Sequence, residues 1–190
     1  DTRTRGIDLH LNYRFHFGSN TLHLSAAANF NQTLVQKDEN GKPKIHASAY
    51  LNDFENILFN REEISRIEVT QPNNKIILRA QLKMKKMEAM LALTRFGKVQ
   101  YIHPDDGDPT NWVLNTDTGQ LEGRDQIFTP KWLSDLSLSY QLTNRMGFGI
   151  GGNNIFNVYP DEHEHSANRA NGIFQYSRRV QQFGVLGAYW

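Results

Sequence analysis

The chain has 190 residues, 38% of them hydrophobic, and carries 21 basic against 20 acidic side chains, a balance that excludes both a nucleic-acid-type basic field and an acidic polyelectrolyte. Mean hydropathy is −0.60 with 11% aromatics, so the apolar residues must be concentrated on a narrow surface rather than spread through a large core. No cysteine is present, which removes disulfide frameworks, thiolate nucleophiles and cysteine zinc sites together.

The N-terminus, Asp1-Thr2-Arg3-Thr4-Arg5, leads directly into patterned sequence without the charged and apolar regions of a signal peptide, and the chain is expected to start partway through a longer one. No run reaches the roughly 18 apolar residues of a membrane helix, so any contact with lipid would be made by strands. Ile7, Leu9, Leu11, Tyr13, Phe15 and Phe17 alternate with Asp8, His10, Asn12, Arg14 and His16, the period of a strand with one oily and one wet face. Gly18-Ser19-Asn20 then turns the chain, and Leu22, Leu24, Ala26, Ala28 and Phe30 resume the alternation, completing a long hairpin. Within the following segment, Asn60 is placed to cap a helix of about two turns carrying Glu62 and Glu63 at its start, with Pro72 closing it off.

A third strand is read through Ile76, Leu78, Ala80, Leu82 and Met84, with Ile77 interrupting its polar set. A turn near Lys86 and Met87 leads to a fourth through Ala89, Leu91, Leu93, Val99 and Tyr101. Trp132, Leu136, Leu138 and Tyr140 mark the fifth. After the turn Leu142-Thr143-Asn144-Arg145, Met146, Phe148 and Ile150 alternate with Gly147, Gly149 and Gly151 in the sixth. A last strand is expected from about Arg179 to Trp190, with Phe183, Val185 and Tyr189 on one face. Short turns alternate with long connections at 35–74, 103–130 and 156–173, the asymmetry of an outer-membrane barrel with tight turns on one side and extended loops on the other. The expected fold is therefore all-β, an antiparallel meander of about seven long transmembrane strands spanning 1–190. The aromatics Tyr13, Phe15, Phe17, Tyr101, Trp132, Tyr140, Tyr189 and Trp190 are expected to form the interfacial girdles.

Four stretches carry a resemblance to a family: Thr4-Arg5-Gly6-Ile7-Asp8; Leu58-Phe59-Asn60-Arg61-Glu62-Glu63 leading to Gln71-Pro72-Asn73-Asn74-Lys75; Thr94-Arg95-Phe96-Gly97-Lys98-Val99; and Gly152-Asn153-Asn154-Ile155-Phe156-Asn157. In this order they resemble the C-terminal barrel portion of TonB-dependent outer-membrane receptors of the kind common in Bacteroidetes-type Gram-negative bacteria. The resemblance implies a 22-stranded barrel plugged by an N-terminal domain that has no counterpart here, and a chain truncated at both ends. It further implies uptake of a ferric siderophore, haem or another metal chelate, with the plug domain, the TonB complex and outer-membrane lipid as partners, and no enzymatic activity, cofactor or nucleic-acid partner.

Candidate chemistry concentrates in the long connections. In Asp161-Glu162-His163-Glu164-His165, the side chains of Glu162, His163 and His165 are a candidate transition-metal set, set against a plain solvated loop tip. Asp105, Asp106 and Asp108 around Gly107 offer oxygen ligands for calcium but lack the later glutamate of an EF-hand, so a polar turn is the alternative. His10, Arg14, His16, His23, Arg79 and Lys83 would face the lumen, where they hydrate the interior or touch a plug or solute; the three histidines also admit a haem reading. No G-x-S-x-G or H-E-x-x-H occurs, and the alternating glycines 147–152 read as close backbone approach or a bend rather than a phosphate loop. Two other classes share parts of this pattern: a passive porin or adhesin barrel, and a soluble β-sandwich binding module with the apolar faces in its core.

Overall fold

The computed structural model describes residues 1–44, 59–170, 172–180, 182–183 and 188–189. Among them, seven strands join in one antiparallel sheet in which neighbours in sequence are neighbours in space. The order is β1 (Thr2–Phe17), β2 (Asn20–Val35), β3 (Asn74–Lys83), β4 (Met87–Phe96), β9 (Lys131–Gln141), β10 (Gly147–Gly152) and β11 (Ala188–Tyr189). The meander expected from the alternation is thus present, as an open sheet with β1 and β11 at its edges. No helix among the described residues is long and apolar enough to cross a membrane.

Register explains the two faces. Partners directly across an antiparallel ladder point the same way. The apolar positions therefore line up in rows such as Phe15, Leu22, Leu82, Ala89, Leu138 and Ile150, or Tyr13, Leu24, Ala80, Leu91 and Leu136. The opposite face carries His16, Thr21, Lys83, Glu88 and Ser139 in one row and Asn12, Ser25, Arg79, Ala92 and Asp135 in another. Ile77, the interruption in β3, lies in a row with Ala27, Thr94 and Leu133, a local apolar strip on the otherwise polar side.

The apolar rows are open: Leu11 is 72% exposed, Ile7 64% and Ile150 62%. Aromatic contacts gather at the turn end of this face, where Phe15 meets Phe17 at 5.7 Å and Tyr140 meets Phe148 at 6.0 Å. Trp132 and Phe30 occupy its other end.

Three two-residue turns close the hairpins at one end. Gly18 adopts φ 61°, a left-handed conformation that favours glycine, in the first. Met84 and Met87 exchange backbone hydrogen bonds across Lys85-Lys86, and Thr143 and Met146 do the same across Asn144-Arg145. The described parts of the long connections lie at the other end, where β1 and β2, 16 residues each, run past β3.

Those connections fold into a cap. Helix α1 (Arg61–Glu68) starts as expected, with the Asn60 side chain accepting from the Glu63 amide at 2.8 Å and Arg66 pairing with Glu62 and Glu63. Glu68 accepts the Val35 amide at 2.8 Å and ties the helix to the end of β2. Short strands β5 (Val99–Tyr101) and β8 (Gln126–Phe128) pair, as do β6 (Val113–Asn115) and β7 (Gln120–Glu122). Val99, Tyr101, Phe128 and Val180 form the buried cluster, with Val99 fully enclosed. Among the described residues the apolar cluster therefore lies in the cap, while on the sheet Val35, Ala92 and Leu133 are buried singly.

Two expectations are corrected. Strand β4 stops at Phe96; the Gly97 amide still donates to Asn74 O at 2.9 Å, the next rung of the β3 ladder, and beyond it β5 pairs with β8 in the register that β4 keeps with β9, while the Gln100 amide donates to Val69 O at 2.9 Å. An added Cβ at Gly97 would lie 2.8 Å from the Asn74 side chain. Val99 and Tyr101 thus prolong the β4–β9 hairpin beyond the seven-stranded sheet, and Tyr101 is a cap-core residue rather than part of a girdle. The last strand is confined, among the described residues, to Ala188–Tyr189, while Val180 and Phe183 are buried in the cap, Phe183 against Phe96 at 5.5 Å. Val185 and Trp190 lie outside the described residues. Of the β10 glycines, Gly147 shows close approach: a Cβ there would sit 3.3 Å from Tyr140 O.

Candidate functional site

The cap is held by charged contacts between segments far apart in sequence. Arg61 donates to His103 O at 2.6 Å and to Asp125, whose Oδ1 also accepts the His103 amide at 2.8 Å. Arg124 clamps Asp106 through its Nε at 3.0 Å and Nη2 at 2.5 Å, and its backbone amide donates to the other carboxylate oxygen. Lys131 pairs with Asp161, and Arg169 with Asp117. Arg179 donates to Glu62 at 2.6 Å and to the Tyr101 hydroxyl at 3.2 Å, joining the C-terminal region to α1 and β5. Gln182 Nε2 donates to Gly97 O at 2.6 Å and Thr129 O at 2.9 Å beneath them.

These contacts enclose a polar cavity of about 220 Å³. Tyr101 and His103 come from the end of β5, Arg124 from the approach to β8, His163 from the loop after β10, and Phe174, Arg178 and Arg179 from further along it. The lining contains three guanidinium groups and no carboxylate. Arg124 and Arg179 are paired to Asp106 and Glu62 outside the lining. Arg178 instead lies over the Phe174 ring, 3.7 Å from its centroid, and has no acidic partner among the described residues.

The imidazoles are arranged by their neighbours. Gln126 donates from Nε2 to Glu162 O, which leaves its Oε1 as acceptor for the Glu164 amide and for His163 Nδ1 at 3.3 Å. His163 thereby holds its proton on Nδ1 and leaves Nε2 as an acceptor. His103 is the mirror case: its Nδ1 accepts the Asp105 amide at 3.3 Å, so the proton sits on Nε2. Burial pushes His163 below the ordinary histidine pKa, and burial followed by the Arg124 charge does the same for His103. Both are neutral at pH 7. Burial would raise Asp106, but hydrogen bonds from Arg124 outweigh it and hold the carboxyl below its ordinary range.

The candidate metal ligands are placed together in sequence but used separately. His163 bonds Gln126 and packs edge-on against Tyr101 and Phe128. His165 has its Nε2 at 3.4 Å from Val113 O, while its Nδ1 accepts the Ala167 amide at 3.1 Å. Glu162 accepts from Gln175. In the aspartate-rich segment, Asp106 serves Arg124 and Asp108 caps Thr110 at 2.9 Å, leaving Asp105 exposed beside His103. Among the described residues no three His, Asp or Glu side chains converge to hold a metal ion.

On the polar face of the sheet, Arg14, His16, Thr21, His23, Gln81 and Lys83 line a depression of about 300 Å³ near the turn end. His16 bonds Thr21 at 3.2 Å and His10 bonds Asn12 at 3.4 Å, so these histidines have separate protein partners. Arg79 lies in the neighbouring cross-strand row with Ser25 and Ala92.

Sequence reasoning missed the cap cavity because its residues come from two connections far apart in the chain and follow no period. The adjacent cations Arg178-Arg179 close to Phe174 and Tyr176 were the available local signal. The chain matches no family model, no curated protein and no solved structure.

Proposed function

We propose that this chain is part of the wall and outer cap of an outer-membrane β-barrel, the C-terminal portion of a TonB-dependent uptake receptor with about 22 strands when whole. The observation that carries the reading is the continuous apolar face left open across the sheet, with every described two-residue turn at one end and every long connection at the other. Each large apolar side chain left in water forgoes about 1.5–3 kcal/mol, and soluble monomers rarely expose patches beyond a few hundred Å². Lipid removes that cost. Wall strands of ten or eleven residues, tilted about 45°, match the hydrocarbon thickness.

The four family-like stretches support the narrower assignment, and two of them have a local structural role. Asn60 through Glu63 start α1, and Asn154 and Asn157 adopt left-handed φ of 52° and 53° where β10 leaves the sheet. In this reading the cap faces outward and receives a ferric siderophore, haem or another metal chelate. The polar face lines the lumen against the plug, and the TonB complex supplies energy from the inner membrane. The receptor performs no covalent chemistry.

Single-cysteine labelling in intact cells tests the topology. Cysteines replacing Leu11 or Leu138 are expected to resist a membrane-impermeant maleimide, one replacing Asn111 in the cap to react from outside, and one replacing Lys85 to react only after the outer membrane is opened. Labelling of Leu11 and Leu138 positions as fast as Asn111 would count against a lipid-facing sheet.

A further inference from the structure

We propose that the cap cavity is a binding site for a small oxyanion, a phosphate or carboxylate group, held by Arg178 with His103, His163 and Tyr101 around it. This deepens the receptor reading and rests on it only for the claim that the cap is the solute-receiving side. The charge argument comes first. Among the described residues three guanidinium groups and no carboxylate line the cavity, and the two acids that reach the lining arginines neutralise Arg124 and Arg179. One cation is left over.

The leftover group is also the one shaped for the task. Stacking on Phe174 at 3.7 Å occupies a flat face of the Arg178 guanidinium and leaves its N–H edge available, the edge that pairs bidentately with carboxylate or phosphate. Arg124 is fixed by Asp106, and Arg179 by Glu62 and Tyr101, so these two side chains are preorganised around the cavity and cost little to order on binding. The histidines add polarity of both kinds. His103 offers a donor at Nε2 and His163 an acceptor at Nε2, which suits an oxyanion that also bears a hydroxyl or a protonated oxygen.

Size limits the occupant. At about 220 Å³ the cavity is smaller than the roughly 300–1,000 Å³ of drug-sized pockets, and about seven times the ~30 Å³ share of one water. A phosphate group or a small hydroxycarboxylate fits; a whole haem or ferric siderophore enters only through an anionic arm.

The test is isothermal titration of the full-length protein purified from the outer-membrane fraction in non-ionic detergent with inorganic phosphate and, separately, with citrate, in buffer free of other oxyanions. One saturable site for either probe is expected, and the tighter probe identifies the class. Arg178→Gln, at an exposed residue without an acidic partner among the described residues, is expected to weaken that binding at least tenfold while the near-ultraviolet circular dichroism of the cap aromatics is retained. Arg145→Gln, at the turn end, is expected to change it less than twofold. Absence of saturation with both probes overturns the proposal, as does wild-type affinity in Arg178→Gln or an equal loss in Arg145→Gln. The two readings fail separately: cysteine labelling of the predicted pattern without anion binding removes only the site, and anion binding without that pattern removes only the membrane topology.

Discussion

At the residue scale, asparagine at 154 is set by two demands made at once. Its backbone is left-handed, and its side chain both donates to Val158 O at 2.8 Å and accepts the Val158 amide at 2.9 Å, while its own amide reaches Asp135 at 2.8 Å. Few side chains tolerate that φ and also bridge four residues ahead. Asn154→Ala keeps the bond to Asp135 but loses the other two and strains the backbone, and is expected to cost about 2–3 kcal/mol, read as a lower urea midpoint in detergent. A variant as stable as the wild type would show that the junction is not held this way.

His163 gives the cap a pH dependence whose sign is fixed. Its folded pKa lies below the ordinary value because burial disfavours the charged ring. The unfolded chain therefore takes up the proton first as pH falls through about 6.5, and stability is lost from there down toward the folded pKa, by at most about 1.4 kcal/mol per pH unit. His163→Gln is expected to flatten the profile of cap unfolding between pH 7 and 5; an unchanged slope would place the proton uptake elsewhere.

At the scale of elements, wall and cap obey different rules. The wall strands read correctly in sequence because period 2 is a local property. Leu22, Leu24, Ala26 and Ala28 alternate whether or not the rest of the fold is known, and their ladder partners follow from the turn at Gly18. A charge on the apolar rows should reveal that face. Leu91→Arg is expected to cost about 2–4 kcal/mol at mid-membrane and to deplete the protein from the outer membrane, whereas Asn12→Arg on the polar face leaves its level near normal. Equal tolerance of both would contradict a lipid-facing apolar side.

The cap was largely illegible. Its strands β5 to β8 have three residues each, too short for any period to show, and its ties span the chain: Arg179 and Glu62 are 117 positions apart. Tyr101 illustrates the failure. Alternation carried on past Phe96 points it outward from a sheet, but beyond Gly97 the hairpin continues as β5 and β8 past the end of β3, where connecting segments cover it, so the ring is enclosed with Val99, Phe128 and Val180 instead. The one cap element read in advance, α1, carries a local signal in Asn60 and the two glutamates behind it. The pair His163 and His165 is close in sequence, and in the fold each ring bonds a different neighbour. Removing both is accordingly expected to change metal-chelate uptake by the intact receptor only slightly, and a large loss at normal surface expression would restore the metal-site reading.

At the scale of the whole molecule, a sheet whose edges and apolar face are left open among the described residues is physically incomplete in water, whereas further strands and lipid would satisfy both. The ordered cap above it, tied by ion pairs between distant segments, is consistent with loops that keep their shape at a membrane surface. The most direct test is the intact mass and N-terminal sequence of the native protein recovered from the outer-membrane fraction. The account predicts a chain several times longer than 190 residues with a plug domain upstream of Asp1. A mature chain of this length, or its absence from that fraction, would contradict it.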